Sequence, residues 1–146
     1  MIVLLAFAIL IGALLPVQAG INAQLRYGLG HPAVAALASF VVGTVALAAL
    51  ALAVRAPLPA GATLARIPWW HWTGGMLGAA YIAVSVVLAP RLGAATLIAA
   101  VVAGQMVASL AIDHFALVGY AAHAINGWRV AGCALVVSGV ILIQRH

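Results

Sequence analysis

The amino-acid sequence predicts an all-α integral membrane protein with five transmembrane helices, and three observations carry that expectation. The first is composition. Of the 146 residues 68% are hydrophobic and only 5% are charged, with a mean hydropathy of +1.29. A soluble domain carries about 25% charged residues, so this chain has too few to cover a water-facing surface. The second is the length of the apolar runs, which reach about 20 residues and so cross a hydrocarbon core of roughly 30 Å at about 1.5 Å per residue. The third is punctuation: glycine, proline, tryptophan and single arginines gather between the runs, where a bilayer gives way to water.

The spans form one transmembrane domain over residues 1–146. Span one covers residues 2–24, with Pro16 and Gly20 interrupting it; both are tolerated in a membrane helix when neighbours re-satisfy the freed carbonyl. No positive residue precedes its apolar run, so it reads as a retained span, although Val17-Gln18-Ala19 resembles a cleavage site. Leu14, Gln18, Asn22 and Arg26 share one i, i+4 ridge. Two carboxamides one turn apart in hydrocarbon need partners, either a neighbouring helix or the wall of a cavity.

A breaker-rich turn, Tyr27 to Pro32, leads to span two at residues 33–54, which carries no charge. Its stripe of Ser39, Gly43, Ala46 and Leu50 reads as a packing face. The connection from Arg55 to Pro68 holds three prolines and two arginines and is the longest clear loop. Trp69, Trp70 and Trp72 then open span three, residues 69–89, as an aromatic belt at the membrane interface. Gly74, Gly78, Tyr81 and Ser85 fall on one face of that helix. The glycines allow close helix approach, and a mid-membrane tyrosine hydroxyl needs a partner, so this face is expected to point inward. Pro90-Arg91 ends the span and leaves only Leu92 before span four, a tight antiparallel hairpin.

Span four, residues 93–112, is the most informative. Leu97, Val101, Gln105, Ser109 and Asp113 lie on one i, i+4 ridge, beside a second ridge of Thr96, Ala100, Gly104 and Ala108. Lipid offers nothing to an amide, a hydroxyl or a carboxylate, so the polar ridge must face protein or water. The small ridge, with Gly104 at its centre, lets another helix approach. Asp113 is the only acidic residue in the chain. At a helix C-terminus it opposes the macrodipole, and Arg129, at the start of span five (residues 126–143), is its economical partner. The alternative is that Asp113 lines a cavity mouth and binds a cation or relays protons with His114.

Charge placement bears on assembly. Arg55, Arg66 and Arg129 fall on the side where span one begins, whereas Arg26, Arg91 and Arg145 fall on the other. The arginine and lysine difference that normally sets orientation is therefore zero, which allows insertion both ways and pairing with an inverted copy. Five spans cannot divide into equal inverted halves, and an antiparallel homodimer supplies the symmetry that many transporters build from internal repeats.

Other function classes find little support. The formal charge of +5 comes from isolated arginines without a lysine or a basic run, which fits interfacial anchors and topology signals rather than nucleic-acid binding. No metal-spaced Cys/His cluster, phosphate-binding loop or nucleophile with a base occurs, so neither an enzyme nor a metal or cofactor is expected. Cys133 stands alone, which excludes an intrachain disulfide.

Gly104-Gln105, Ser109-Leu110 and Asp113-His114-Phe115 are similar to a signature of the YdcZ-type small membrane proteins of the drug/metabolite transporter superfamily. So are Pro16-Val17-Gln18-Ala19-Gly20-Ile21-Asn22, Ser39-Phe40-Val41-Val42-Gly43, Pro68-Trp69-Trp70, Trp72-Thr73-Gly74-Gly75, Pro90-Arg91-Leu92-Gly93 and Arg129 with Gly132. One departure is Ala116, where the pattern has glycine. The resemblance covers essentially the whole chain. It implies a five-span protein of the bacterial inner membrane, transport of a small molecule, and assembly as a dual-topology homodimer, as paired proteins of opposite topology, or as a fused two-half version. Related small multidrug exporters couple to protons through a glutamate in span one, which this chain lacks.

The sequence thus points to a transporter working as an inverted homodimer in the lipid bilayer, with an unidentified small-molecule substrate and no nucleic acid. Gln18, Asn22, Tyr81, Ser85, Gln105, Ser109 and Asp113 would line the shared cavity, and Gly74, Gly78 and Gly104 would pack helices. A small dual-topology ion channel and a structural or regulatory membrane subunit remain the competing readings.

Overall fold

The computed structural model describes residues 2–145, and the regular structure among them is helical throughout. The long helices are α1 (Ile2–Leu29), α2 (Pro32–Ala53), α4 (Thr73–Leu92), α5 (Ala94–His114) and α6 (Gly127–Arg145), with α3 (Gly61–Leu64) a single turn in the second connection. Among the described residues, five helices are long and apolar enough to cross a membrane.

The helix ends follow local chemistry. Helix α1 passes through Pro16 and runs to Leu29 rather than ending near residue 24. Its 28 residues give about 42 Å of helix, more than the bilayer needs, so Arg26 and Tyr27 extend it toward the interface. Gly30, at φ +76°, stops the helix and donates its N–H to the Arg26 carbonyl at 2.8 Å; a side chain would be strained there. His31 then caps α2, its Nδ1 accepting from the Ala33 N–H at 3.2 Å, and Pro32 takes the first helical position, where its missing N–H costs nothing.

Helix α4 begins after a 3₁₀ turn at Trp69–Trp72 and continues through Pro90 to Leu92, past the stop expected at residue 89. A proline forfeits one intrahelical bond, here toward Val86, but only two helical residues follow it. A single residue, Gly93 at φ +76°, separates α4 from α5.

The chain packs as two units. In the unit Val17–Pro90, Ala35 and Ala36 of α2 pack with Ile82 and Val86 of α4, and Leu25, Tyr81 and Ala83 close around them. Ala35 and Val86 have no exposed surface. The Phe40 ring lies against Gly78, 3.6 Å from where a Cβ would stand. Alanine and glycine let helices approach closely, so dispersion replaces the hydrophobic effect that lipid removes. In the unit formed by residues 2–16 and 91–145, α5 packs on α6, and Leu97 and Cys133 are buried.

Most apolar surface is bare. Only eight apolar residues among the described ones are buried, while Ile9, Val42, Met76 and Leu135 stand open. From Phe40 to Leu50 every residue of α2 is exposed, about three helical turns. Within its unit, the expected packing stripe on α2 is thus open at Gly43, Ala46 and Leu50 and half-buried at Ser39. A Cβ added at Gly74 or Gly104 would likewise touch nothing within 4 Å.

These differences predict a contrast. Ala35→Leu overfills the enclosed contact between α2 and α4 and should lower stability by about 1–3 kcal/mol. Val42→Leu on the bare stretch should change it by less than about 0.5 kcal/mol. Unfolding titrations in mixed detergent micelles measure both, and equal effects would contradict the packing described.

Candidate functional site

The polar residues of the spans fall into two groups, one in each unit. In the unit Val17–Pro90, Gln18 is exposed, Tyr81 is half-buried, and Asn22 and Ser85 are buried, at 4% exposure each. Asn22 lies one turn before Leu25 on α1, and Ser85 lies between Ile82 and Val86 on α4, so both border the Ala/Val cluster. Among the described residues, the Asn22 Nδ2 is enclosed without a hydrogen-bond partner. In apolar surroundings such a group is costly, by about 1–3 kcal/mol.

In the other unit the ridge of α5 divides. Gln105 is exposed, eleven residues into a helix of 21, which puts it near the middle of the span. Ser109 satisfies its own hydroxyl by donating to the Met106 carbonyl at 3.0 Å, a helix-internal bond that leaves it only its acceptor capacity.

Asp113 is drawn into a latch. Arg129 Nη2 donates to Asp113 Oδ2, and Nη1 donates to the His123 carbonyl at 2.8 Å. The His123 backbone N–H donates to the Asp113 carbonyl at 2.8 Å, and the Ile125 N–H donates to His114 Nδ1 at 3.3 Å. Asn126 caps α6, its Oδ1 accepting from the Arg129 N–H at 2.9 Å. The pair is half-buried, with 29% and 22% side-chain exposure. Each charge stands at the unfavourable end of its helix, the carboxylate at a C-terminus and the guanidinium at an N-terminus. Pairing offsets both dipole penalties at once.

Beside the latch is an open cavity of about 660 Å³, lined by Asp113, His123, Asn126, Arg129 and two alanines. His114 and His123 belong to the latch through a ring nitrogen and a backbone. The signal for Asn126 was present in the sequence, an asparagine one position before a helix that opens on glycine.

The latch predicts a graded loss. Asp113→Ala leaves Arg129 without its charged partner and should cost about 1–2 kcal/mol for a partly exposed pair. Asp113→Asn keeps an oxygen for the guanidinium and should cost less. Thermal unfolding in detergent reads the order, and a costlier Asn would contradict it.

A family model described as "Putative inner membrane exporter, YdcZ" matches residues 3–142. Inner membrane protein YdcZ of Escherichia coli (strain K12) is 29% identical over 142 residues, covering 97% of this chain and 95% of that protein. No solved structure matches. With five helices of spanning length and a match along nearly its whole length, the chain is an inner membrane protein that belongs to the YdcZ family of the drug/metabolite transporter superfamily.

Proposed function

We propose that the chain exports a small molecule as a dual-topology homodimer with a cavity near the membrane midplane. The observation that carries this reading is Gln105, an exposed carboxamide near the centre of α5. Hydrocarbon gives its four hydrogen-bonding sites nothing, so it must meet another chain, water or a solute. In an inverted dimer the residue occurs twice. Gln18 on α1 is exposed in the same way, and Asn22, Tyr81 and Ser85 add polar groups to its unit. The bare turns of α2 and the open faces at Gly74 and Gly104 offer surface for the second copy.

The arginines support inverted pairing. Arg26, Arg91 and Arg145 lie in the last turns of α1, α4 and α6, and Arg55, Arg66 and Arg129 lie in or beside the two long connections. Alternating spans set these trios on opposite sides, with no excess on either. The chain holds no acidic residue in its first span, so its cavity favours neutral or anionic amphiphiles over strong cations. Asp113 serves chiefly as the anchor of the latch.

Topology is the first test. Arg55→Ala with Arg66→Ala should force one orientation and abolish export, and co-expression with Arg26→Ala/Arg91→Ala should restore it. Terminal labelling from each side in intact cells tracks orientation; a wild-type chain labelled on one side alone would refute inverted pairing. Gln105→Leu should leave the dimer intact in detergent and lower efflux of a neutral amphipathic antibiotic by about tenfold or more, the loss expected when a buried polar contact goes unmade. Unchanged efflux with altered dimerisation would favour a structural subunit, and non-saturable ion flux would favour a channel.

A further inference from the structure

We propose that the cavity at the junction of α5 and α6 binds an ammonium–phosphate zwitterion, and that the lipid phosphatidylethanolamine is the source its position favours. The site lies wholly in the unit that contains both helices, apart from the mid-span polar residues. It pairs a fixed carboxylate with a fixed guanidinium, and both retain unused capacity. Arg129 spends two of its five N–H donors, on Asp113 and on the His123 carbonyl. Among the described residues, Asp113 Oδ1 has no hydrogen-bond partner, and the Asn126 amide nitrogen likewise has none, because only its oxygen is used for the cap.

Charge balance selects the ligand. A simple anion meets the carboxylate as well as the guanidinium, and a simple cation meets the reverse. A ligand carrying both charges a few bonds apart can lay its phosphate toward Arg129 and Asn126 and its ammonium toward Asp113, satisfying each with charge-assisted bonds. A primary ammonium has N–H groups to give the carboxylate, which a choline group lacks. The placement matches a head group: the cavity lies where α5 ends and α6 begins, and Phe115, Tyr120 and Trp128, in or next to the connection between them in the chain, are all exposed, as an interfacial belt would be.

The test is lipid retention by the full chain in native mass spectrometry. The protein is offered equal amounts of phosphatidylethanolamine, phosphatidylcholine and phosphatidylglycerol with identical acyl chains. The wild-type chain should retain phosphatidylethanolamine over phosphatidylglycerol by roughly tenfold, the size of one charge-assisted hydrogen bond. Asp113→Asn keeps an acceptor for Arg129 but removes the ammonium's counter-charge, and should reverse the preference toward phosphatidylglycerol. Asn126→Asp keeps the helix cap and adds a carboxylate, and should raise the phosphatidylethanolamine preference. It stands in should the first variant fail to fold. Soluble phosphoethanolamine at millimolar concentration displaces the lipid if a free zwitterion is the source, and leaves it bound if the acyl chains are needed. A lipid ratio that neither variant changes, or a wild-type preference for phosphatidylglycerol, would overturn the proposal.

Discussion

The constraint behind this structure is that a bilayer offers no hydrogen bonds. Each backbone N–H and C=O inside the hydrocarbon must be paired within the chain, and the helix is the element that does so span by span. The five long helices, the glycine stops at residues 30 and 93, and the imidazole cap at His31 all answer that demand. Where an amide, a hydroxyl or a carboxylate intrudes, the answer differs by residue. Ser109 turns back on its own helix, Asp113 is gripped by an arginine, and Gln105 is left open.

The five long apolar helices were legible in the sequence because they follow from apolar run length. Their ends were less so. Tyr27 to Leu29 carry breaker-like neighbours but remain helical, since Gly30 and not Gly28 takes the left-handed conformation. Pro90 looks like a terminator and is absorbed in a last turn. Ridge assignments on α5 were visible from i, i+4 spacing, yet spacing does not reveal what a ridge faces. Thus Gly78 meets Phe40 while Gly74, one turn away on the same face, meets nothing.

The junction of α5 and α6 shows the same division. An aspartate and an arginine at neighbouring helix ends suggest a pair from charge alone. The contributions of His114, His123 and Asn126 depend on the path of a connection with no periodic pattern, and a sequence conveys that path poorly. The latch ties two helices by side chain, ring nitrogen and main chain together, so its strength does not rest on one bond. It also holds the chain's single side-chain carboxylate at a helix end, which leaves uncharged groups as the polar residues at mid-span.

The shortness of two joints carries a consequence for insertion. Helices α1 and α2 are separated by Gly30 and His31, and α4 and α5 by Gly93 alone. Segments joined so closely have no length of chain between them with which one could re-cross the bilayer independently of the other. The second pair follows the long proline-rich connection at residues 54–68, and the last helix follows the connection at residues 115–126. Such a chain therefore has three units to orient, two closely joined helix pairs and the last helix, rather than five separate helices.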